Sequence, residues 1–469
     1  MTATGGLSFE GLLIDAVWAR PKAPAELSKA ECAGRLQSIQ RRRSQEVAEE
    51  ADLILRLAAL TPDERDPQPG TPGARSTQWR QTDPDFPGVS ESFPDELGQV
   101  LQVGRGTAAH KTRRAYTWRD SLPLVGAALR AGVLDERRAG IFADRLQHTP
   151  PVLAGRVEQI VLPEAMSWGF GALRRRIAAV LLELDPASAD ENPERAEDNA
   201  DVYVEPDGDG MADFGAKLPA EEAAEAFDLY DTLARQAKKD GDPRPIGRIR
   251  REIFSLFARG AHLALVAGVR ANLTINAWLE SLEGAATTPG DVNGYAITPA
   301  TLRDLLRRVG ALGLTAPEGG SLTLALHDEN GQLLATLSLA DLQRAVKHGE
   351  GVNPPADTDG YGPTAKQREF LTTRDRSCRM PYCGQRVGWA DHDHVLPHAA
   401  SGPTACTNLC CLCRTHHRLK THFKGWGFVM EPDGTLHVTT PSGVTRTTQP
   451  WAMRRRPPPP SPEPDPPPF

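Results

Sequence analysis

The chain contains 469 residues and carries a formal net charge of −7 at pH 7. This length allows two or three domains, and a hydrophobic content of 39% is sufficient for ordinary cores. No apolar run reaches the roughly 20 residues that span a bilayer. Glu10 and Asp15 interrupt the first apolar stretch, which argues against a secretory signal. We therefore expect a cytoplasmic protein with no membrane partner.

The first predicted element is an amphipathic helix between Leu27 and Leu60. Its apolar residues recur at three- and four-residue spacing, with arginines and glutamates between them. This pattern predicts one long helix, or two helices joined near Gly34. The next stretch, from Thr61 to Pro94, is rich in Pro, Gly, Thr and Asp and lacks periodicity. We expect it to be an exposed linker.

Residues 95–118 have the pattern of a helix-turn-helix unit. A short helix from Glu96 to Leu101 is followed by a turn at Val103-Gly104 and then by a basic helix that begins near Arg105. Such a unit would contact DNA. The alternative interpretation is an ordinary helical hairpin inside a bundle.

The pattern between residues 122 and 345 is mainly helical with small β elements. Helices are predicted at 122–131, 134–147, 151–167, 170–184, 219–237, 243–265 and 298–309. An acidic run from 185 to 213 is interpreted as a solvated loop and strand pair around Gly208-Asp209-Gly210. Val266 to Ile275 is predicted to be a strand. Residues 322–326 and 333–337 are predicted to be a hairpin that turns at Asn330-Gly331.

The last part of the chain is predicted to hold a small separate domain. Residues 346–363 have the Gly, Pro and Asp content of a linker, and residues 364–448 begin with a helix and end with a hairpin around Pro432-Asp433-Gly434. Residues 449–469 are predicted to be a disordered proline-rich tail.

Cysteines and histidines concentrate between Cys378 and His422. This stretch holds six of the seven cysteines and six of the twelve histidines. Two cysteines separated by four residues are followed, about thirty residues later, by a Cys-x-x-His pair, which is the spacing of a closed tetrahedral zinc site. The predicted ligands of a structural zinc ion are Cys378, Cys383, Cys413 and His416.

The remaining cysteines of the stretch are interpreted as small core residues, although Cys410 or Cys411 would compete as a zinc ligand. Cys406 belongs to the same group. Because the cysteines are clustered at metal-binding spacing and not spread as a disulfide framework, a reducing cytoplasm suits this chain.

A second set of polar residues in the same stretch is not needed for zinc binding. It contains Asp393-His394, Asn408 and His417. Phosphodiester hydrolysis needs a base with a pKa near neutrality, which histidine offers, and a cation that neutralises the charge developing on the phosphate. These residues therefore suggest a catalytic site beside the zinc site.

The order of these residues resembles the HNH endonuclease family. The matching residues are Asp393-His394, Pro397, the Ser401-Gly402-Pro403-Thr404 loop, Asn408-Leu409, Leu412-Cys413, His416-His417 and Lys420. The resemblance implies a ββα-metal module, in which two short strands and a helix surround one divalent metal ion. It is the basis on which we expect a small C-terminal zinc-stabilised HNH module.

The resemblance also implies a role for each residue. His394 would be the general base that deprotonates the attacking water, and Asp393 and His417 would bind a catalytic Mg²⁺ or Mn²⁺ ion. Asn408 would either bind that ion or fix the histidine loop, and these two alternatives stay open here.

The predicted secondary structure is compatible with these roles. Residues 390–395 are predicted to be a strand and residues 414–421 a helix, on which His416 and His417 project about 100° apart. One histidine can therefore face zinc while the other faces the cleft. Lys420 shares a helix face with His417 and is a predicted phosphate contact. The other predicted phosphate contacts are Arg414, Arg418 and Lys424.

The charge distribution supports a nucleic-acid partner despite the negative net charge. Ten basic and four acidic residues lie between Tyr361 and Gly425, a balance of +6 that leaves −13 on the rest of the chain. A basic module on an acidic body is expected when one domain alone contacts phosphate. A basic surface without a partner is the alternative. His392 and His398 are interpreted as ordinary solvated or hydrogen-bonded residues.

Most of residues 28–345 resembles the large helical domain of unknown function that often precedes an HNH module in bacterial proteins. The residues that carry this resemblance are the arginine-rich helix at 36–60, Leu122-Pro123, Ala131-Gly132-Val133, Asp209-Gly210-Met211-Ala212, Leu218-Pro219 and Gly294-Tyr295-Ala296-Ile297. The expected protein is therefore a metal-dependent endonuclease that acts on nucleic acid, with DNA as the expected substrate. The alternative function is a non-catalytic zinc-containing DNA-binding protein.

Overall fold

The computed structural model describes residues 23–74, 86–185, 200–207, 211–260, 274–278, 281, 289–311, 314–316, 320–328, 330–349 and 351–451. The chain forms two compact units. Among the described residues, unit 1 comprises 23–64, 86–97 and 106–185, and unit 2 comprises 65–74, 98–105 and those from 200 to 451. Residues 452–469 of the predicted tail and nearly all of the predicted strand Val266 to Ile275 lie outside the described residues.

The regular structure described in the first 185 residues is helical. The helices are α1 (Lys29–Ala59), α2 (Phe93–Leu101), α3 (Arg105–Asp120), α4 (Pro123–Arg130), α5 (Glu136–Leu146), α6 (Pro151–Val161) and α7 (Phe170–Leu184). Ser28 begins α1 with a capping box, because its side chain accepts from the Glu31 amide while the Glu31 carboxylate accepts from the Ser28 amide. The helix continues through Gly34, so the chain adopts the single-helix alternative.

The core of unit 1 lies between the apolar faces of its helices. Leu129, Phe142, Leu146, Val157 and Ile177 are all at most 1% exposed. Short helices such as α4 and α5 are marginal in isolation, and packing of an apolar face supplies most of their stability. This shared core therefore explains how helices of eight to eleven residues persist here.

The prediction of an exposed linker from Thr61 to Pro94 is wrong for Phe86 and for residues 89–94, although Pro87 and Gly88 are exposed. Phe86, Val89 and Phe93 are buried, and the Phe86 ring stacks on Tyr116 with the ring centroids 5.6 Å apart. The many turn-forming residues and the lack of periodicity correctly predict an irregular segment. They do not indicate whether the apolar side chains of that segment are buried. Residues 75–85 of the same stretch lie outside the described residues.

The helices and the turn of the predicted helix-turn-helix are present as α2, residues 102–104 and α3. Two basic side chains of α3 are held by acids of unit 1: Lys111 pairs with Glu50 at 2.7 Å, and Arg114 forms a two-pronged pair with Asp144. These pairs are those expected of a hairpin inside a helical bundle. DNA contact by residues 95–118 stays a prediction.

Between residues 200 and 349 the structure alternates helices with small antiparallel sheets. The elements are β1 (Val202–Pro206), β2 (Ala212–Ala216), α8 (Ala220–Lys239), α9 (Ile246–Gly260), β3 (Ile275–Asn276), β4 (Gly290–Val292), β5 (Tyr295–Ile297), α10 (Pro299–Arg308), β6 (Leu324–His327), β7 (Leu333–Leu337) and α11 (Leu339–His348). The predicted strand pair in the acidic run is β1 with β2, and the predicted hairpin at 322–337 is β6 with β7. The β4–β5 hairpin was not predicted, although Asn293-Gly294 at its turn is a hairpin signal in the sequence.

The C-terminal part of unit 2, residues 365–448, is compact and contains many buried residues. Its elements are α12 (Ala365–Asp375), β8 (Ala390–His394), β9 (Leu409–Cys413), α13 (Arg414–His422), β10 (Gly427–Met430), β11 (Leu436–Thr439) and β12 (Thr445–Thr448). Strands β8 and β9 pair in antiparallel register, with Asp393 opposite Cys410, and α13 follows β9 directly. Strands β10 to β12 form a second sheet, in which β12 extends the hairpin that the sequence predicted.

A buried ion network joins the elements of this region. The Asp375 carboxylate, fully buried at the end of α12, accepts from the Arg374 and Arg379 guanidinium groups and from the Cys411 amide of β9. Arg374 also donates to the Leu409 carbonyl at 2.7 Å, and Arg379 donates to the Gly434 carbonyl at 2.8 Å. Burial opposes ionisation of Asp375, but the two arginines outweigh it and hold the pKa of this carboxyl below its ordinary value.

In the part of the chain that the structure describes, no helix combines the length and the apolar content that a membrane crossing requires. The division into units does not follow the predicted domain boundaries at 345 and 364, which stay a prediction.

Asp375→Asn tests the buried network. Removing the negative charge leaves two buried guanidinium groups without their counter-ion, so we expect the unfolding free energy of the C-terminal region to fall by about 3–5 kcal/mol. Because the folded pKa of Asp375 is depressed, its contribution is complete above the unfolded pKa of about 4 and is lost as the pH falls through the lower folded pKa. Urea denaturation at pH 7 measures the loss.

The matched control is Asp359→Asn, because this aspartate is exposed. Equal denaturation midpoints for Asp375→Asn and Asp359→Asn would contradict the importance of the network.

Candidate metal centre and catalytic site

The four predicted zinc ligands come together in the structure. The ligand atoms of Cys378, Cys383, Cys413 and His416 all lie within 4.8 Å of one another. The His416 Nδ1 atom lies 3.3 Å from the Cys378 sulfur and 3.1 Å from the Cys413 sulfur. A tetrahedral zinc ion with bonds of about 2.0–2.3 Å separates its ligand atoms by roughly 3.5 Å, so the cluster fits zinc closely.

Backbone hydrogen bonds explain why these residues converge. The loop that carries the first two cysteines closes on itself, since the Cys378 amide donates to the Gln385 carbonyl at 2.7 Å and the Cys383 amide donates to Met380 at 3.1 Å. Strand β9 delivers Cys413 at its last residue, and the first turn of α13 brings His416 back beside it. The Arg379 amide donates to the Cys411 carbonyl and so fixes the loop against β9.

The chemistry of the cluster favours a bound cation. Hydrogen bonding to Cys383 and to Cys413 raises the pKa of the Cys378 thiol, while hydrogen bonding to Cys378 and to Cys383 lowers the pKa of the Cys413 thiol. Three thiols this close cannot all ionise alone, because their negative charges repel. A zinc ion removes that repulsion by binding all three as thiolates. The structure therefore supports a metal-binding cluster at this point of the chain.

The other cysteines of the stretch are core residues, as the sequence predicted. Cys406, Cys410 and Cys411 are at most 4% exposed and pack in the hydrophobic clusters around β9. Burial raises the pKa of Cys410 to about 12, so this thiol stays neutral. Neither Cys410 nor Cys411 belongs to the metal-binding group.

Asp393 and His417 of the second predicted set meet where β8 faces α13, whereas His394 and Asn408 lie outside this contact. The His417 Nε2 atom lies 3.4 Å from the Asp393 carboxylate, and the His417 Nδ1 atom lies 2.7 Å from Asp391. The Lys420 ammonium lies 3.0 Å from Asp393 and also donates to the His394 carbonyl. His416 and His417 therefore face different sites, one the thiol cluster and the other the Asp393 carboxylate, as their positions on a helix predict.

His394 ends β8 on the opposite side of the strand from Asp393. Its Nε2 atom lies 2.9 Å from the Thr404 hydroxyl, and its ring lies against Tyr361. Burial lowers the pKa of His394, and the positive charge of Lys420 adds to that effect, although Asp393 opposes it. A lowered pKa keeps the imidazole neutral at pH 7, which is the state that accepts a proton.

Asn408 holds the loop between β8 and β9. Its side-chain amide donates to the carbonyls of Leu396 and Pro403, and its side-chain oxygen accepts from the Leu396 amide at 2.9 Å. Of the two alternatives for Asn408, this geometry favours fixing of the histidine loop. Gly402 is needed in the same loop, because a Cβ atom at this position would lie 1.9 Å from the Leu396 carbonyl oxygen.

The predicted phosphate contacts occupy different environments. Arg414 is 74% exposed and lies 3.2 Å from Asp391, and Lys424 is exposed. Arg418 donates to the Gly73 carbonyl and stacks over Phe423. Only 8% of the Lys420 side chain is exposed, because its ammonium balances the buried Asp393 carboxylate. Lys420 therefore contacts Asp393, and only Arg414 and Lys424 present their side chains openly to solvent.

Asp391 is a site residue that the sequence interpretation missed. The signal was present, because residues two apart in a strand share a face, so Asp391 and Asp393 both point toward α13. Thr404 was named only as part of a loop, and Tyr361 only as a boundary of the basic stretch. Their approach to His394 depends on tertiary contacts, for which the local sequence carries no signal.

His392 and His398 have the ordinary surroundings that the sequence suggested. The His392 Nε2 atom lies 3.3 Å from the Thr372 hydroxyl. His398 packs edge-on against His394, with ring centroids 5.5 Å apart.

Cys378→Ser tests the metal centre. Loss of one thiolate ligand should release zinc and unfold the C-terminal region, because binding energy of a structural zinc ion is also folding energy. Elemental analysis should give about one zinc per chain before the substitution and much less after it, with a parallel loss of circular-dichroism signal. Cys32→Ser is the matched control, since Cys32 lies outside the cluster. Full zinc content in Cys378→Ser would contradict the assignment.

Comparison with known proteins identifies the N-terminal part of the chain. Residues 77–315 match the family described as a domain of unknown function, DUF222. The chain is 30% identical over 381 residues to Uncharacterized protein Rv3776 of Mycobacterium tuberculosis (strain ATCC 25618 / H37Rv), which covers 76% of this chain and 70% of the relative.

Two further relatives are similar. The chain is 29% identical over 382 residues to Uncharacterized protein Rv2100 of the same strain and to Uncharacterized protein MT2160 of strain CDC 1551 / Oshkosh, covering 76% of this chain and 68% of each relative. No solved structure matches the chain. The resemblance of the N-terminal region to a helical domain of unknown function is confirmed, and the chain belongs to the DUF222 family.

Proposed function

We propose that this protein is a metal-dependent endonuclease of the HNH class that hydrolyses phosphodiester bonds in nucleic acid, with DNA as the expected substrate. The observation that carries the proposal is the placement of His394 at the end of the strand whose preceding residue, Asp393, faces His417. Zinc binding by the cysteine cluster requires none of these three residues.

The donor atoms of Asp393 and His417 fit a catalytic divalent ion. The two atoms lie 3.4 Å apart, close to the roughly 3 Å between neighbouring ligands of an octahedral ion with bonds of about 2.1 Å. The other Asp393 oxygen, Oδ2, is buried and lies 3.0 Å from the Lys420 ammonium, which leaves Oδ1 facing His417. A bound Mg²⁺ or Mn²⁺ ion would neutralise the charge that develops on the phosphate oxygens.

His394 would perform the proton transfer. With its Nε2 atom engaged by Thr404, the Nδ1 atom is left to accept a proton from the attacking water. The water oxygen then forms a bond to phosphorus as the bond to the leaving oxygen breaks, and the leaving oxygen takes a proton from solvent. The backbone carbonyl of His394 accepts from Lys420, which links the base to the Asp393 side of the site.

Two further residues would position the reacting groups. Asp391 accepts from His417 Nδ1, which fixes the imidazole with Nε2 directed at Asp393, in the manner of the carboxylates that orient metal-binding histidines. Asn408 holds the loop that follows His394 by three hydrogen bonds to its backbone. Arg414, exposed beside Asp391, would contact a phosphate of the substrate.

A second candidate is a non-catalytic zinc-containing DNA-binding protein. It is favoured by the completeness of the four-residue cluster, which accounts for the fold of the region without any catalytic role. In that case nucleic acid would bind the basic surface and would be released without cleavage.

His394→Ala tests the catalytic proposal. Wild-type protein should nick supercoiled plasmid in Mg²⁺ or Mn²⁺, and EDTA should stop the reaction. Loss of the general base should slow nicking by about 10²–10⁴-fold, because general base catalysis contributes that much. His437→Ala is the matched control, since His437 lies on β11 and contacts Thr447 and Glu431. Absence of nicking by the wild-type protein, or nicking by His394→Ala at the wild-type rate, would contradict the catalytic proposal.

Asp391→Asn tests the positioning role. The amide cannot accept the His417 hydrogen bond as a carboxylate does, so the Mn²⁺ concentration for half-maximal nicking should rise about 10- to 100-fold. Zinc content should stay unchanged, because Asp391 is not a member of the cysteine cluster. The control is Asp359→Asn. An unchanged Mn²⁺ requirement in Asp391→Asn would show that Asp391 does not orient the metal ligand.

A further inference from the structure

Tyr361 is exposed in an unusual position. Its side chain is 71% exposed, yet its ring lies 5.4 Å from the His394 ring at an interplanar angle of 27°. One face of the ring is therefore covered by the histidine, and the other is open to solvent. The His398 ring meets Tyr361 edge-on at 5.5 Å, so the three rings form one aromatic group.

Hydrogen bonds hold the segment that carries Tyr361. The Thr358 amide donates to the Thr404 carbonyl at 3.2 Å, and Gln367 donates to the carbonyls of both Ala356 and Thr404. Thr404 is also the residue whose hydroxyl contacts His394. The segment 356–361 and the histidine are thus tied to one residue, which positions the Tyr361 ring relative to His394.

An open aromatic face beside a phosphate-binding site suits a nucleobase. Base–aromatic stacking tolerates every base, because each has a π-face, and it is worth about 1–3 kcal/mol per base. On the other side of β8, the exposed Arg414 beside Asp391 offers a cation for phosphate.

We infer that Tyr361 is a stacking platform for an unpaired nucleobase next to the phosphate that is cleaved. This inference rests on the proposed function, since His394 marks where the phosphate lies. Inside a duplex both faces of a base are covered by its neighbours, so a base reaches Tyr361 only from a single strand, a strand end or a flipped position. The preferred substrate is therefore nucleic acid that is single-stranded or locally unpaired at the cleavage site.

Binding by the full chain tests the inference without cleavage. The probes are a fluorescein-labelled 12-nucleotide DNA single strand, the same strand with abasic sites, and the same sequence as a blunt hairpin. No Mg²⁺ or Mn²⁺ is added, so affinity is measured by fluorescence anisotropy in the absence of turnover.

The wild-type chain should bind the single strand more tightly than either other probe. Tyr361→Ala should weaken binding of the single strand by about 5- to 150-fold, the range that loss of one stacked base implies. The same substitution should leave binding of the abasic strand within about twofold, because that strand has no base to stack. Tyr361→Phe should retain wild-type affinity, and Tyr203→Ala, at an exposed tyrosine on β1, is the control.

Other outcomes overturn the inference. Equal losses for the base-containing and abasic strands would show that the ring only supports His394, and unchanged affinity in Tyr361→Ala would show that no base stacks there. A wild-type chain that prefers the hairpin would exclude selection of unpaired bases. If binding follows the expected pattern but the chain never nicks DNA, the stacking role of Tyr361 stands and the nuclease proposal fails. Failure of the stacking inference and failure of the nuclease proposal are therefore distinguishable.

Discussion

The buried carboxylate of Asp375 is the interaction on which the C-terminal region depends. It lies between Arg374 and Arg379, and these three side chains reach α12, the loop before Cys411, strand β9 and the turn at Gly434. Three buried charges are costly unless each is paired and hydrogen-bonded, and here the contacts of the three side chains tie α12 to β9 and to the turn at Gly434. The network fixes β9 in place. Strand β9 in turn delivers Cys413 to the metal cluster and pairs with β8, which carries Asp393 and His394.

One short strand and one helix thereby carry residues of both the thiol cluster and the carboxylate–histidine group. Cys413 ends β9 and His416 follows in the first turn of α13, so the thiol cluster clamps the start of that helix. His417 is the next residue and faces the opposite carboxylates, Asp391 and Asp393. A structural metal bound by His416 would fix the first turn of α13. The backbone position of His417, the next residue, would be fixed with it. This arrangement gives a small region, with a limited core, a rigid frame for a site that needs accurate placement.

Much of this site was accessible from the sequence, and the reasons for the remainder are physical. The spacing of Cys378, Cys383, Cys413 and His416 predicted the cluster because ligand spacing is local, and helical geometry separated His416 from His417. The charge count did not distinguish Arg374 and Arg379, which are buried, from Arg414, which faces solvent. Lys420 was predicted to contact phosphate, but its ammonium pairs with the Asp393 carboxylate. The burial of that carboxylate depends on tertiary contacts, which the local sequence does not reveal. Tyr361 reaches His394 from a predicted linker, and the burial of Phe86 likewise follows from long-range packing. The β4–β5 hairpin is local, and its Asn293-Gly294 turn was overlooked.

The central claim is that structural and catalytic metals occupy separate sites, with the cysteine cluster as frame and Asp393, His394 and His417 as the reaction site. The most direct measurement is plasmid nicking by the 469-residue chain after dialysis to remove weakly bound ions. The zinc content per chain is measured in the same samples before and after Mn²⁺ is added. The account predicts about one retained zinc per chain, no nicking before addition, and nicking that rises with Mn²⁺ while zinc stays constant. Nicking that follows the zinc content and ignores added Mn²⁺, or no nicking at any concentration, would contradict it.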